Sequence, residues 1–386
     1  MSKGAVAMDC LDLLREYVAT PSVNPMGRSD LPAQIVGERR YAERVKAHLG
    51  ALGLDAVLVG EGERCSVVAE ARVAGARETL LVASHLDTVP VDAMEIDPFD
   101  PVVAEGRLYG RGACDTKAGM AALVAALSQV LARGTLRRNV VIAGEADEEL
   151  TGLGVRDVLA HLGARRPDWT IATEPTELRV VTHHKGIAVA RLEATGIACH
   201  SSDPGAGRSA ISALAQAVLT MNALNDELAA RRDPVLGPGT CSVGVIGGGK
   251  APNVVPDAAW LLMDRRMLPG ETAEQVRREI EAALARRDVP DVRISQIVVG
   301  KPPLGTDPAS PPVRACRAAL EACGLCAEPT SVAFGTDAAL FAGAGIPGVV
   351  LGPGSIAQAH TAREFVEVAQ VEAMTRLFVR LLEAGA

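Results

Sequence analysis

What most constrains this chain is a series of short, almost continuous apolar runs that end on acidic residues or histidine. The runs CSVVA, TLLVAS, NVVIAG and WTIAT follow one another in the first half of the sequence. Helical patterns flank and separate them: Leu11, Leu14 and Val18 stop at Thr20-Pro21, and Tyr41, Val45, Leu49 and Leu52 stop at Gly53. A long Ala-rich stretch runs from about Ala118 to Arg133. Continuous apolar strands alternating with helices predict a largely parallel sheet with helices on both faces, an α/β fold. TLLVAS leads into His85 and Asp87, and NVVIAG into Glu145, Asp147, Glu148 and Glu149. WTIAT leads into Glu174, PGVVLGPGS is followed by His360, and the loop GRGACDTKAG supplies Asp115. Open α/β sheets bind ligands beyond the carboxyl ends of their strands. One acidic residue after a strand is usually a helix cap; several strand ends delivering them together predict a site.

From about Val180 the texture changes. VTHHKGIAVARLEATG reads as one strand or two, Ser209 to about Ala230 as a helix, and CSVGVIGG and AAWLLMDRR as two strands. A helix from Glu271 to Arg287 and the strand VRISQIVV complete the order strand–helix–strand–strand–helix–strand, the split βαβ sandwich. From Pro311 the earlier alternation resumes. The division expected is therefore a discontinuous α/β domain, residues 1–179 and 298–386, interrupted by an α+β, ferredoxin-like domain at 180–297.

With 386 residues the chain is long enough for two cores. Its net charge of −8 is spread rather than blocked, which argues against nucleic acid or an anionic membrane as a partner. No apolar run approaches the ~20 residues of a membrane helix. Nor does the start read as a secretory signal, so a cytoplasmic protein is expected. The eight cysteines are scattered, and the lone CxxC of Cys323 and Cys326 lacks the second pair a structural zinc needs. Gly244 to Lys250 fits GxxxxGK, but Ala251 replaces the required hydroxyl residue and Pro252 and Pro256 preclude the helix. His183 and His184 are adjacent on a strand and point apart.

Carboxylates and imidazoles without thiolates suit zinc, or else manganese or cobalt, in a hydrolytic centre. Two histidines and three carboxylates exceed one catalytic ion and fit two ions sharing a bridge. Singly, each residue has a plainer reading: Asp147–Glu149 as a solvated helix start, His85 as a core histidine, Asp115 as a helix cap. Those readings weaken inside the ordered set.

SHLDTVP, GRGACDTKAG, EADEELTGLG, TEPT and GPGSIAQAHTAREF, in that order, resemble the acetylornithine deacetylase, succinyl-diaminopimelate desuccinylase and carboxypeptidase G family. ACHSSDP and GGGKAPNVVPDAAWLLMDRRMLPGE extend the resemblance through the inserted domain. It implies that His85 and Glu174 bind one zinc, that Glu149 and His360 bind the other, and that Asp115 bridges them. Asp87 would orient His85, and Glu148 would be the general base that passes a proton from water to the leaving amine. The resemblance makes 1–179 and 298–386 the catalytic domain and the insert, 180–297, a lid and dimerisation domain, whose His200 would reach the partner subunit's site of a homodimer and donate to the oxyanion. Asn253 and Arg266 would bind a substrate carboxylate, and strand alternation separates Arg266 from its neighbour Arg265. The chain departs from common family spellings at Thr116 and Ala118. The activity implied is deacylation of an N-acyl amino acid. A dipeptidase or carboxypeptidase of the same family, and a non-catalytic dimeric scaffold, are the alternatives.

Overall fold

The computed structural model describes residues 7–385. It divides into two compact units: one comprises the chain up to Thr182 with Thr306–Thr330 and the segment from Thr336 onward, the other His183–Gly305 with Ser331–Gly335.

In the first unit the apolar runs become the strands Arg64–Ala71, Thr79–His85, Asn139–Glu145 and Trp169–Ala172. Thr79–His85 lies between Asn139–Glu145 and Trp169–Ala172, and Gly348–Val350 lies beyond the latter, all four parallel. Arg64–Ala71 and the hairpin strand Ala56–Glu61 extend the sheet antiparallel at one side. The central strands alternate between two cores. Leu80, Val82, Val140 and Ile142 pack with the helices Cys10–Val18, Arg39–Ala51, Ala118–Arg133, Pro311–Ala322 and Val368–Glu383. Leu81, Ala83, Val141 and Ala143 pack with Leu153–Leu162 and Ala338–Gly343 on the opposite face. Burial on both faces is why these strands read as unbroken apolar runs. Helix starts and stops follow local chemistry: Asp9 caps the first helix through Leu11 N and Asp12 N, and Gly134 ends the Ala-rich helix in a left-handed conformation.

In the second unit the strands Gly186–Thr195, Thr240–Gly248, Ala258–Met267 and Val292–Lys301 form one antiparallel sheet. Its spatial order puts Ala258–Met267 and Gly186–Thr195 in the centre and the other two at the edges. Buried residues alternate along the central strands. Their inward side chains, Ala188, Ala190, Leu192, Leu261 and Met263 among them, pack with the helices Ala210–Ala229 and Ala273–Arg286. Thr272 and Gln275 close a capping box on the second helix. The unit extends past position 297 because its last strand runs on to Lys301, which pairs with Ile187.

Candidate metal centre

In the first unit the parallel strands end in step. His85 stands opposite Glu145, and Ala83 opposite Ala172, two residues before Glu174. The loop carrying Asp115 precedes the Ala-rich helix, which approaches the sheet closely at Gly119. A Cβ there would collide with the Thr173 side chain, so glycine lets the helix start lie against the strand end that bears Glu174. The Asp115–Thr116 peptide bond is cis.

Asp115 stands between two imidazoles. His85 Nε2 lies 2.9 Å from its Oδ1, and His360 Nε2 lies 3.3 Å from its Oδ2. Glu174 is 3.8 Å from His85 Nε2 on one side, and Glu149 is 3.1 Å from His360 Nε2 on the other. Ligand atoms of His85, Asp115 and Glu149 all fall within 4.8 Å of one another. His85, Asp115, Glu148 and Glu174 are buried, whereas His360 is exposed.

Electrostatics and tautomer show whether this set fits a metal. Burial pushes Glu174 well above the usual carboxylate range, and the Glu148, Asp115 and Asp337 charges push the same way. Burial also raises Glu149, against the hydrogen bond from His360. Hydrogen bonds to Asp115 and Glu149 push His360 up to about 10. Burial alone would depress His85, but the Glu174 charge and the hydrogen bonds to Asp115 and Asp87 outweigh it and hold its pKa high. Carboxylates crowded at this density call for cationic charge between them, which a divalent ion supplies. His85 Nδ1 lies 3.0 Å from the Asp87 backbone carbonyl. A carbonyl only accepts, so Nδ1 carries a proton, which leaves Nε2, facing Asp115 and Glu174, as the nitrogen that would ligate an ion on losing its own proton. The thiol beside Asp115 is turned away: Cys114 Sγ donates to the Ser355 carbonyl at 3.3 Å, and burial raises its pKa. The donors are therefore oxygen and nitrogen, and they fit a metal of zinc's type.

Two buried carboxylates brace the site from behind. Asp87 accepts from Glu148 N and Glu149 N, both at 3.0 Å. Glu364 accepts from Cys114 N at 2.9 Å and Asp115 N at 3.1 Å, and Arg111 Nη1 donates to its other oxygen at 2.6 Å. Glu364 is delivered by the strand Phe365–Glu367, which pairs with Arg107–Tyr109 just before Arg111. Asp87 thus faces His85 Nδ1 with its backbone carbonyl and, at 3.5 Å, with its carboxylate, which also accepts from the Glu148–Glu149 turn. Asp147 accepts from Asn24 at 2.9 Å and from Arg64 and Thr151. The sequence reading passed over Asn24, Arg64, Arg111 and Glu364. Arg111 and Glu364 lie inside quoted motifs and could have been flagged as buried charges of opposite sign. Nothing local marks Asn24 or Arg64.

In the second unit His200 and Asn253 are exposed neighbours: His200 pairs with Val254, and Ser201 N donates to the Asn253 carbonyl at 3.0 Å. His200 Nδ1 lies 2.7 Å from Ser202 Oγ. Arg265 is buried and paired with Glu271 and Glu279, at 2.8 and 3.3 Å. Arg266 is half-buried, with its Nε donating to Asp264 at 2.9 Å. Cys323 and Cys326 are free thiols.

A doubly covered parallel sheet whose strand ends gather buried carboxylates and imidazoles defines the metallohydrolase class. The description Peptidase family M20/M25/M40 matches residues 81–384, and the chain belongs to that family. It is similar to the acetylornithine deacetylase of Myxococcus xanthus, 35% identical over 299 residues, 76% of each chain. Among solved structures it is similar to a tripeptidase from Staphylococcus aureus, with TM-score 0.78 and 20% identity over 98% of both chains. It is also similar to a dinuclear metal-binding M20 peptidase from Bacillus subtilis, with TM-score 0.69 and 16% identity over 97% of this chain and 96% of that one. At those identities the structural likeness speaks for the α/β fold alone. The chain is a metal-dependent hydrolase of amide bonds. Among the described residues no helix is long and apolar enough to cross a membrane.

Proposed function

We propose that the chain removes the acyl group from N-acyl amino acids, with two divalent ions, zinc foremost, held by His85, Asp115 and Glu174 and by His360, Asp115 and Glu149. The observation that carries this reading is Asp115, each of whose oxygens faces a different imidazole. The likeness to acetylornithine deacetylase supports the substrate class, and two imidazoles and three carboxylates, more donors than one catalytic ion takes, support the metal number. Such ions polarise the substrate carbonyl and make water acidic enough to be deprotonated at neutral pH. Glu148, held beside Glu149 by its N–H to Asp87, takes the proton from the attacking water and hands it to the leaving amine. Arg266 and Asn253 receive the amino acid's carboxylate, for which a guanidinium fork is suited.

The test is release of free amine from a panel of N-acyl amino acids and dipeptides, with elemental analysis of the active protein. N-acetyl amino acids are expected as the best substrates, with two ions per chain. Faster cleavage of dipeptides would transfer the assignment to the peptidase reading, and at most one ion after zinc is supplied would defeat the paired site.

The reading includes a homodimer in the cytoplasm, a compartment suited to eight free thiols, with His200 serving the partner's site. Its support is the two edge strands of the second unit's sheet, Thr240–Gly248 and Val292–Lys301. Mixing Glu148→Gln chains with His200→Ala chains under subunit exchange should restore activity. Hybrids as inactive as either parent would place His200 in its own chain's chemistry or outside it.

A further inference from the structure

A general base is only as effective as its placement, and Glu148 sits in an irregular turn between the strand Asn139–Glu145 and the helix Leu153–Leu162. Asp147, the residue before it, has a left-handed φ of 63°, a conformation that Asp tolerates but does not favour. From within the turn, Thr151 N and Gly152 N donate to the Asp147 carbonyl at 3.1 and 2.7 Å; further support comes from outside it. Asn24, which is fully buried, comes from the N-terminal segment ahead of the helix Arg39–Ala51. Its amide nitrogen donates to Asp87 Oδ2 at 2.8 Å and to Asp147 Oδ1 at 2.9 Å. Its carbonyl oxygen accepts from Arg64 Nη1 and Nη2 at 3.1 and 3.2 Å and from Met26 N at 2.9 Å. This orientation is the one the surroundings allow, because only the NH₂ can face two carboxylates and only the oxygen can face a guanidinium.

Both amide protons are thus spent on two acidic side chains that frame Glu148. Asp87 in turn receives the Glu148 and Glu149 N–H groups, so the sequence Asn24–Asp87–Glu148 is an unbroken run of hydrogen bonds. Buried carboxylates left without donors are costly, and no other uncharged side chain of this size offers two donors on one atom. Asp in this place would set a third carboxylate against the other two, and Ala would take one donor from each of Asp87 and Asp147, leaving them only their bonds to the Glu148 and Glu149 N–H groups and to Arg64 and Thr151.

We propose that Asn24 is a positioning residue for amide hydrolysis: by bridging Asp87 to Asp147 it fixes the turn that presents Glu148 for proton transfer. This rests on Glu148 as general base, as read under Proposed function. A mere stitch between the N-terminal segment and the sheet would affect folding or metal retention without singling out the base.

The test uses the full chain at saturating zinc with an N-acetyl amino acid, comparing wild type, Asn24→Ala, Asn24→Asp, Glu148→Gln and the Asn24→Ala/Glu148→Gln double variant. The Asn24 variants are expected to keep wild-type zinc content and circular dichroism. Their kcat should fall by about 10–100-fold, in the range usual for partners that orient a metal site, with KM little changed. The double variant should be no slower than Glu148→Gln alone, because a positioning residue has nothing left to position. Wild-type kcat in both Asn24 variants, a loss seen in KM or zinc content instead, or losses that multiply in the double variant would each overturn the proposal. An active Glu148→Gln would overturn the base assignment and this proposal with it; an inactive Glu148→Gln beside a fully active Asn24→Ala would overturn this proposal alone. Where Ala and Asp do not fold, Asn24→Ser, which keeps one donor, is judged on the same criteria. Failure of all three to fold would make Asn24 structural and likewise overturn it.

Discussion

The two sheets of this protein are built by opposite rules. The first unit's central strands are buried on both faces, so Leu80 and Leu81, adjacent in sequence, enter different cores. Polar chemistry is left to the strand ends and the loops beyond them: His85, Asp115, Glu148, Glu149, Glu174 and His360. The second unit's sheet has one face covered by helices, so every other residue faces out, including Val189 and Val298 at 40% and 48% exposure. Its polar residues are spread along strands, as Arg265 and Arg266 show. A doubly covered sheet confines function to an edge and holds it rigidly; a singly covered one leaves a face and edges for association.

That contrast is most sharply tested by the chemistry itself. Glu148→Gln is expected to lower kcat by about 10²–10⁴-fold with metal content kept, whereas Glu149→Ala should lose metal. Arg266→Ala, on the second unit, should act first on KM, because it removes ground-state and transition-state binding alike. Steady-state kinetics with elemental analysis decide this, and a Glu148→Gln enzyme that keeps most of its activity would erase the distinction.

Packing gives the next effect. Leu81→Ala should cost about 2–5 kcal/mol in urea unfolding, as for other fully buried leucines. Val189→Thr, on the open face of the second sheet, should stay within about 0.5 kcal/mol. Equal costs would mean that the open face is covered in solution.

The smallest effect is a pH dependence. Burial pushes His184, at the start of the second unit, down to about 4. Its folded pKa lies below the unfolded value near 6.5, so folding favours the neutral ring. The stability it contributes is complete above pH 6.5 and is lost as pH falls toward 4. Between pH 7.5 and 5 this amounts to about 2 kcal/mol. Urea unfolding of wild type and His184→Asn at both pH values should show the wild type losing more, and parallel losses would refute it.

Much of this was legible in the sequence because it was local. The apolar runs, the helix ending near Gly53, the Ala-rich helix Ala118–Arg133 and the helix that begins after Ser209 depend on neighbours a few residues away. The ligand candidates were legible because strands and loops deliver them in a recognisable order. Asp87 was read as a partner of the His85 ring; its carboxylate lies 3.5 Å from the ring's Nδ1 and also holds the next strand's turn. Its neighbours in sequence do not include Glu148 and Glu149, whose N–H groups needed an acceptor.

What the sequence by itself determined was the order of elements, the side chains placed at strand ends and the hard, thiol-free chemistry they offer. What only the tertiary structure decided was who meets whom. Asp115 stands between His85 and His360, Glu364 accepts from a loop 249 residues away, and Asn24 reaches Asp147 across 123 residues. Periodicity and capping act over one or two turns, whereas a buried polar group takes whichever partner the packed sheet brings within about 3 Å. Strand register and loop closure set those partners, and no local pattern in the chain encodes them.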